Sequence, residues 1–554
     1  MKKTSSALLL VSSILLLSAA QPLAADTEKA VVGPTETSGK GELRIIEGIP
    51  FVKLSGSYYE MGTQYGSLLK SRISTLYGVL AQPQKWERLK RNKPLLSSLE
   101  GMLQPKYVQF LRGVAVGSGL DYDMVLVGSY DAFSLQGCTS VLTRVPDCSG
   151  GTRLLHAKNL DNPLPTGDTQ AVVEFRPRGE LRYIVTEVTG MGMCDGMNEK
   201  GITLSVDGAT PGMRTQYPEN PFVAFKMSEI LSSSTSLAEV DKQLASYTSD
   251  VGWILICGSG QETDGVVYDA VYDKLLRNPM ESKKDLFVTN THLNPDLTPP
   301  NDLLKCPRYE TVEKYLKRKG VHSVDDLIEL MGDQGTTYGV NNSSTKHSVI
   351  YDPRNQTLYV SFADSYAGWG KWLKYDWPKD QATICREPEG YTGTVQLKKT
   401  PVSRVVSIRA DLPSTDSSGI RADLDAYISL HSLAAAGAGY VVYHGTKGHS
   451  FDIEVVQPVT HECESSARVT YRVLQPLEMA CVVQHGPFRT NLMGYDAIYR
   501  WLSLNDYQTA GPSQECYVKG PWNENAPRDW VTEIRIPVKK KTRWFDFWPF
   551  RAAG

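Results

Sequence analysis

The feature that most restricts the fold of this chain is an internal repeat near its C-terminus. The first copy is "VSRVVSIRADLPS…IRADLDAYISLHSLAAAGAGYVVYHG…FDIEVVQPV", and the second is "LEMACVVQHGPFR…LMGYDAIYRWLSLNDYQTAGPSQECYV…WVTEIRIPV". Each predicts a strand, a helix and two more strands, and each has an acidic residue in a strand followed by a proline, Glu454 or Glu533. Because one repeat cannot bury its own apolar face, we expect the copies to form one pseudo-symmetric domain with the acids on matching strands.

The N-terminus has the pattern of a secretory signal. Lys2 and Lys3 precede the apolar run "SALLLVSSILLLSAA", and small residues follow it. This pattern predicts a signal peptide over residues 1–25 and an exported mature protein, periplasmic or secreted. A retained N-terminal anchor is the alternative. Residues 26–44 are polar and rich in Gly, Thr and Glu, which predicts a linker.

Charge and cysteine content exclude some functions. The formal net charge is −2, without an unbalanced basic stripe, so a nucleic-acid partner is not expected. The nine cysteines include no CxxC pair, which argues against a zinc cluster. An odd number of cysteines in an oxidising compartment leaves at least one thiol free.

The middle of the chain changes character at Cys138. Strand–turn–helix patterns precede it, and β-rich segments with interspersed helices follow it as far as a turn-rich stretch near Pro388. We therefore predict a domain over residues 45–387, with a helical part up to Gly137 and a β part from Cys138. A second domain is predicted over residues 393–540, followed by a basic and aromatic tail over residues 541–554.

Cys138 follows a glycine in "FSLQGCTSVL". A thiol attacks a carbonyl as the thiolate and therefore needs a base nearby. Cleavage of the chain before Cys138 would supply its own α-amine, which titrates at about 8. Gly137 has no side chain, so its carbonyl can be approached closely for an acyl shift to the sulfur.

Several polar residues downstream are candidates to assist Cys138. In "HAKNLDNP", Asp161 can orient the new amine, and either Lys158 or Asn159 can face the acyl group. Asn198 in "GMNEKGI" and Asn290 in "VTNTHLNP" lie at strand ends, where a side-chain amide can donate to an oxyanion.

These segments together resemble the N-terminal-nucleophile hydrolases. The motifs are "GSYYEMGTQYG", "GCTSV", "KNLD", "GMNEKGI", "VTNTHLNP", "CPRYETV" and "HSVIYDP", in that order. The group they are most similar to is the autoproteolytic one around acyl-coenzyme A:6-aminopenicillanate acyltransferase. The choloylglycine hydrolases, penicillin V acylases and acid ceramidases resemble the chain more distantly. The similarity covers about residues 45–380.

The resemblance implies an α+β chain whose first domain is a four-layer αββα structure. It implies self-cleavage between Gly137 and Cys138 and hydrolysis or transfer of an acyl group from a linear, non-peptide amide, without a metal or cofactor. Cys138 would be the nucleophile and Asp161 would hold its amine. Asn290 and Asn198 would form the oxyanion hole. Arg308 in "CPRYE" would be a charged site residue or a structural one.

The chain departs from this family at Lys158, where the family usually has arginine. Lysine keeps the charge but lacks the planar, two-pronged donor geometry of a guanidinium. A role for Lys158 in orienting Cys138 or in binding a substrate carboxylate is therefore an open question.

The repeat resembles the GyrI-like effector-binding domain over about residues 393–540, through "FDIEVVQPV", "HGPF", "AIYRWL" and "DWVTEIRIPV". The resemblance implies a cleft between the halves for a small cationic or aromatic ligand, with a buried acid as counter-charge. Glu533 would be that acid and Glu454 its symmetry mate. Trp501, Tyr517 and Trp530 would supply aromatic walls for cation–π contact. Alternatively, these aromatic side chains belong to the core and both glutamates lie in surface strands.

The leading hypothesis is an exported, self-cleaving cysteine amidohydrolase or acyltransferase with an attached ligand-binding domain. An exported enzyme has poor access to acyl-coenzyme A, which favours hydrolysis. One alternative is an ester or phospholipid acyl hydrolase of the same fold. Another is a non-catalytic binding protein in which Cys138 is disulfide-bonded to Cys148. The tail "KKKTRWFDFWPFRAAG" can contact lipid headgroups, although a disordered or packed tail is the simpler interpretation.

Overall fold

The computed structural model describes most of the chain and divides it into two compact units, with the division between Glu387 and Pro388. It describes residues 30–80, 91–131, 137–162, 169–190, 192–209, 223–247, 249–272, 274–282, 284–294, 297, 306–335, 338–447 and 450–541. The predicted signal peptide and all of the predicted tail beyond Lys541 lie outside these residues. None of the helices in the described part is long and apolar enough to cross a bilayer.

The first unit contains two sheets. The strands of the larger one are β1 (Val32–Ser38), β2 (Gly41–Ile46), β3 (Ile49–Gly56), β6 (Gln170–Pro177), β7 (Tyr183–Val188), β8 (Gly192–Asn198), β9 (Ile202–Ala209), β10 (Ser249–Ser259), β11 (Asp264–Tyr272) and β12 (Lys274–Pro279). They lie side by side in this order. The pairing of β3 with β6 is parallel, and the other pairings are antiparallel.

The smaller sheet is antiparallel and carries the strand that begins at Gly137. Its strands are β4 (Gly137–Pro146), β5 (Thr152–Asp161), β13 (Leu286–Val288), β14 (Thr345–Asp352), β15 (Thr357–Phe362), β16 (Trp372–Asp376) and β17 (Gln381–Arg386). Their spatial order is β13-β4-β5-β14-β15-β16-β17, so β4 and β5 lie next to each other.

The helices of this unit lie in two groups. The larger group is α1 (Tyr58–Leu68), α2 (Lys70–Leu80), α3 (Lys93–Gly101), α4 (Pro105–Ser118), α5 (Tyr122–Asp131), α6 (Val223–Ser233) and α7 (Leu237–Leu244). The smaller group is α8 (Pro307–Arg318) and α9 (Val324–Met331).

The apolar side chains sort these elements into four layers. Leu142 and Leu154 of the smaller sheet pack against Ile254 and Ile256 of the larger one, so the two sheets face each other. The opposite face of the larger sheet packs against the larger helix group. The opposite face of the smaller sheet packs against α8 and α9. The predicted αββα arrangement is therefore confirmed.

The structure differs from the predicted linker over residues 26–44. Residues 32–38 form β1, which pairs with β2 at the edge of the larger sheet. Most side chains of β1 are exposed, so its sequence carries little of the apolar alternation that marks a strand. Its place in the sheet rests on backbone hydrogen bonds to β2, which residue polarity does not reveal.

Glycines bring α1 and α4 into backbone contact. A Cβ atom added at Gly62 would lie 2.1 Å from the carbonyl oxygen of Phe110, and one at Gly117 would lie 2.2 Å from that of Thr63. Gly66 and Gly113 are equally close to the opposing backbone. The two helices can therefore cross at this distance only with glycine at these positions.

We expect Gly62→Ala to lower the free energy of unfolding by about 1–3 kcal/mol, because the added methyl group forces the helices apart. Gly101→Ala is the matched control, since a Cβ there meets no atom within 4 Å and alanine favours a helix. Denaturant titration monitored by circular dichroism measures both variants. Equal stability of the two would contradict the importance of this contact.

The second unit is one sheet with two helices. Its strands are β18 (Tyr391–Thr392), β19 (Gln396–Lys399), β20 (Ser403–Leu412), β21 (Tyr440–Lys447), β22 (Ser450–Pro458), β23 (Thr470–Leu474), β24 (Glu478–His485), β25 (Tyr507–Thr509), β26 (Ser513–Lys519) and β27 (Val531–Lys540). Its helices are α10 (Ser418–Leu430) and α11 (Asn491–Leu504). Helix α10 packs on β20 and β22, and α11 packs on β24 and β27.

The central strand order, β24-β27-β26-β21-β22-β20, has two-fold pseudo-symmetry. In the first half Glu454 pairs with Arg409 and Pro458 with Val405. In the second half Glu533 pairs with Val483, and Pro537 pairs with Met479. The spacing of the two pairs is the same as in the first half. The predicted duplication of a strand–helix–strand–strand unit is confirmed, and the two glutamates occupy equivalent positions.

Candidate functional site

Cys138 lies at the start of β4, directly beside the end of β5. Its side chain is fully buried. The ladder pairs Gly137 with Asp161 and Cys138 with Leu160, so the predicted junction faces the Asp161 side chain. A Cβ atom at Gly137 would lie 3.2 Å from the Cβ of Asp161 and 3.3 Å from its Oδ2. A side chain larger than that of glycine would crowd this carboxylate.

Polar groups from two other segments contact the backbone of Cys138. Its N–H donates to Oδ1 of Asn290 at 2.9 Å, and its carbonyl oxygen accepts from Arg308. Arg308, in the first turn of α8, also donates to Oδ1 of Asn290 at 2.6 Å and lies 3.3 Å from Oδ2 of Asp161. The other carboxylate oxygen of Asp161 accepts from the Thr345 hydroxyl at 2.6 Å. The nitrogen that cleavage would expose is thus already held.

A buried ion pair lies beside the thiol. Lys158 donates to the Asp207 carboxylate, and to the carbonyl oxygen of Val206 at 2.7 Å. Asp207 also accepts from the Ser140 hydroxyl at 2.9 Å. Burial lowers the pKa of Lys158, but the adjacent Asp207 outweighs burial and holds that pKa above its ordinary value. The lysine therefore carries a positive charge close to Cys138.

The thiol itself is protonated in the uncut chain. Burial raises the pKa of Cys138 to about 12, and the positive charge of Lys158 only partly opposes this effect. Since the thiolate is the nucleophilic form, a base must remove the proton before Cys138 can attack.

The structure does not bring Asn198 to this place. Asn198 ends β8, and its side chain accepts from the backbone N–H groups of Lys200 and Ile202, 3.0 Å each. Its amide nitrogen donates to the carbonyl oxygens of Leu231 and Ser234. These contacts hold the turn before β9, whereas Asn290 contacts Gly208 near the far end of that strand. The position does not support the predicted oxyanion role of Asn198.

Asn290 is beside Cys138, but in a different orientation from the one predicted. Its Oδ1 faces the nitrogen of Cys138, and its Nδ2 donates to the Gly208 carbonyl oxygen at 2.7 Å. These contacts are suited to orienting the α-amine of Cys138 after cleavage. The oxyanion role of Asn290 stays a prediction.

The sequence reasoning missed Asp207 and Thr345. Asp207 lies in the β-rich segment "GITLSVDG", whereas Thr345 lies two residues before "HSVIYDP". Neither residue has a regular sequence spacing from the residue that it contacts. Asp207, for example, contacts Lys158 from the opposite sheet. Pairing across two sheets has no periodic sequence signal.

A disulfide between Cys138 and Cys148 does not fit this fold. All nine cysteines are free. Cys138 lies at one end of β4, whereas Cys148 follows the other end, in the turn before β5. A strand of this length separates the two Cα atoms by roughly 30 Å, whereas a disulfide spans at most about 7 Å.

Three acids in the described part of the second unit are buried, and two of them, Asp452 and Glu454, form ion pairs. The third is Glu515. Glu533 is only half-buried, so the prediction that made it the buried acid is not supported.

Glu515 lies on β26 and accepts from the Tyr517 hydroxyl at 2.6 Å, the Tyr495 hydroxyl at 3.0 Å and the Asn491 amide at 3.1 Å. Burial raises its pKa. None of the ion pairs found among the described residues involves it.

Both predicted glutamates already have cationic partners. Glu533 contacts Lys398 at 2.8 Å and also Arg535. Glu454 contacts His444 at 2.9 Å and Arg472 at 2.5 Å. The strand alternation in "TEIRIPV" contains the signal that Glu533 is not a core acid. Ile534 and Ile536 pack under α11, so Glu533 and Arg535, which alternate with them, face away from that helix.

Two of the three predicted aromatic residues lie near Glu515. Tyr517 and Trp530 both pack on Phe488, with ring centroids 4.8 and 4.5 Å away. Trp522 completes this group at 6.2 Å from Phe488. Trp501 instead packs on Tyr507 at 5.2 Å, against the core under α11, so its predicted ligand contact is not supported.

Comparison with known proteins supports the division of the chain. Residues 394–539 match the family model described as GyrI-like small molecule binding domain, which confirms the resemblance predicted for the second unit. Among curated proteins, no sequence matches this chain.

Several solved structures are similar to parts of the chain. One is EcmrR in its complex with DNA, at 23% identity and a TM-score of 0.25; the match covers 28% of this chain and 59% of that one. Another is a Caenorhabditis elegans ortholog of N-acylethanolamine-hydrolyzing acid amidase, at 17% identity and a TM-score of 0.32, covering 39% and 93%. A third is penicillin V acylase from Agrobacterium tumefaciens, at 13% identity and a TM-score of 0.31, covering 44% and 87%.

Proposed function

We propose that the first unit is a self-cleaving cysteine amidohydrolase of the N-terminal-nucleophile type. The chain is cut between Gly137 and Cys138, and the new N-terminal cysteine hydrolyses a linear, non-peptide amide. The observation that carries this proposal is that Asn290 and Arg308 contact the backbone of a buried cysteine whose preceding residue is glycine. Arg308 also contacts Asp161, which pairs with that glycine.

Self-cleavage begins with attack of the Cys138 sulfur on the Gly137 carbonyl carbon. The peptide C–N bond breaks, the proton of the thiol passes to the departing nitrogen, and a thioester joins Gly137 to the sulfur. Water then hydrolyses the thioester and leaves the Gly137 carboxylate and the free thiol. The Cys138 nitrogen becomes an α-amine with an ordinary pKa of about 8.

In the cut chain this amine supplies the base for each turnover. It takes the proton of its own thiol, and the thiolate attacks the substrate carbonyl. The amide C–N bond breaks, the leaving amine takes the proton, and water releases the acid. Asn290 and Asp161 orient the amine, and Arg308 binds Asp161, Asn290 and the Cys138 carbonyl oxygen together. Lys158 stabilises the thiolate by its charge.

The proposal includes export, on the basis of the N-terminal sequence, and favours water over a second acyl acceptor. N-terminal sequencing of the mature protein tests export and cleavage together: one fragment should begin near Gln21 or Asp26 and the other at Cys138. An unbroken backbone at residues 137–138 would contradict the proposal.

The alternative of an ester hydrolase is tested by matched chromogenic amides and esters of the same acyl groups. We expect turnover of amides at a rate comparable with that of the esters. Hydrolysis of the esters alone would favour the alternative.

We also propose that the second unit binds a small aromatic cation through Glu515. The matched family model supports small-molecule binding, and an acid among tyrosines with no cationic partner suits a positive charge. Whether this ligand is related to the hydrolase substrate is a separate question.

We expect Glu515→Gln to weaken binding of crystal violet, a bulky aromatic cation, at least tenfold, because the counter-charge is lost. Glu533→Gln is the control and should bind unchanged, since Lys398 and Arg535 already occupy its carboxylate. Quenching of tryptophan fluorescence measures both affinities. If only the Glu533 variant lost affinity, Glu533 would be the counter-charge, as the sequence predicts.

A further inference from the structure

The first unit contains a second polar site that the proposed chemistry does not use. A cavity of about 60 Å³ lies between the larger helix group and the larger sheet. A water molecule needs only about 10–15 Å³, so the cavity has room for a small organic group. Its walls are mainly aromatic and include Tyr58, Tyr65, Tyr107, Phe110 and Tyr183.

One carboxyl group, that of Glu187 on β7, lines this cavity. Only 3% of its surface is exposed, and it accepts a hydrogen bond from the Tyr65 hydroxyl. No ion pair in the described part of the chain involves Glu187. Burial raises its pKa to about 8, and the hydrogen bond from Tyr65 only partly opposes this.

Burying an ionised carboxylate without a cationic partner costs free energy of folding. Such groups are concentrated at functional sites, which makes Glu187 a candidate for one. The other buried acids of this unit are paired: Asp207 contacts Lys158, and Asp195 and Asp269 contact His347 and His292 at 3.0 Å each. Glu187 therefore differs from them in facing an aromatic cavity alone.

The tyrosine faces around the cavity already attract a positive charge. The Lys106 ammonium lies 5.0 Å from the Tyr58 ring centroid and 5.2 Å from that of Tyr107. Both rings line the cavity. Aromatic faces combined with one carboxylate are the arrangement that recognises organic ammonium ions.

We propose that this cavity binds a small aromatic or alkyl ammonium ion, with Glu187 as its counter-charge and the tyrosine rings as its walls. The same chemistry recurs in the second unit, where Glu515 lies among Tyr443, Tyr495 and Tyr517. The chain thus carries two separately built sites suited to one class of ligand. The inference does not depend on cleavage at Cys138.

The pH dependence follows from the state of Glu187. The titratable groups that face it or line the cavity with it are Tyr58 and Tyr65 on α1, Tyr77 on α2, Tyr107 on α4, Tyr183 on β7 and Cys194 on β8. Burial raises the pKa of each of these six groups, so all stay neutral between pH 6 and 9. Glu187 is therefore the group whose charge changes in this range.

The test uses the full chain carrying Glu515→Gln, so that the acid of the second unit does not contribute. Isothermal titration measures the affinity for benzyltrimethylammonium, whose charge is independent of pH, and for benzyl alcohol, a neutral analogue. A cation requires ionised Glu187, so its affinity should fall about tenfold for each pH unit below about 8 and be constant above. The affinity for benzyl alcohol should be weak and independent of pH.

Adding Glu187→Gln should weaken ammonium binding at least tenfold at pH 8.5, because glutamine keeps the hydrogen-bonding shape without the charge. Glu239→Gln on α7 is the control for a carboxylate that does not contact the cavity lining, since it accepts from the Thr235 backbone N–H at 2.6 Å. An unchanged near-ultraviolet circular dichroism spectrum shows that a variant is folded. Equal binding of benzyl alcohol and the cation, absence of ammonium binding at every pH, or full binding by the Glu187 variant would each overturn the proposal.

Discussion

Cys138→Ala is expected to leave the chain uncut and to abolish hydrolysis of amides. Alanine has no sulfur to attack the Gly137 carbonyl, so no thioester forms and no α-amine is exposed. Since the proposed base is that amine, one substitution removes both the nucleophile and its activation. We expect at least a thousandfold loss of activity, measured by turnover of the chromogenic amide, together with one full-length band on a reducing gel.

Cys194→Ala is the matched control for this experiment. Cys194 is also a buried cysteine. Burial raises its pKa, and a charge on the nearby Cys138 thiol raises it further. Its substitution should leave cleavage intact. Cleavage of the Cys138 variant, or an uncut Cys194 variant, would contradict the assignment of Cys138 as the nucleophile.

Lys158→Met is expected to have the second largest effect. Methionine leaves Asp207 buried without its cation, which costs about 3–5 kcal/mol of stability. It also removes the positive charge that opposes the rise in the pKa of Cys138. We therefore expect both a lower denaturation midpoint and self-cleavage slowed by at least tenfold, followed by intact mass after expression.

The double variant Lys158→Met with Asp207→Leu separates these two effects. It removes both charges, so stability should largely recover, whereas cleavage should stay slow because the thiolate still lacks a cation. Lys158→Arg keeps the charge and should cleave. Cleavage by the double variant at the normal rate would show that Lys158 has only a structural role.

Much of the first site was predictable because its members lie in short, ordered motifs. Gly137 and Cys138 are adjacent, and Asp161 lies one hairpin downstream, so the pairing of β4 with β5 brings them together. Asn290 was predictable as the end of a strand that pairs with β4. Asn198 has the same local appearance, but its turn lies beside α6 rather than beside Cys138.

The acid of the second unit, Glu515, could not be predicted from the sequence repeat. Glu533 and Glu454 were chosen because the repeat makes them equivalent, and they are equivalent in the sheet. Equivalence in a repeat does not determine burial or charge pairing. Glu454 is buried and Glu533 is half-buried, and each already has a cationic partner on another strand. Glu515 has no acidic counterpart in the first half, because Val441 occupies the equivalent position on β21.

The sequence by itself determined the order of the elements, the duplicated second unit and the position of a cysteine that follows a glycine at a strand start. These are local properties, written in periodicity and in neighbouring residues. Only the tertiary structure decided which carboxylates are buried, which of them have a cation, and that Lys158 meets Asp207 across two sheets. The reason is that burial and charge pairing depend on which faces of distant strands meet, and the free energy of a buried charge depends on that meeting rather than on its neighbours in the chain.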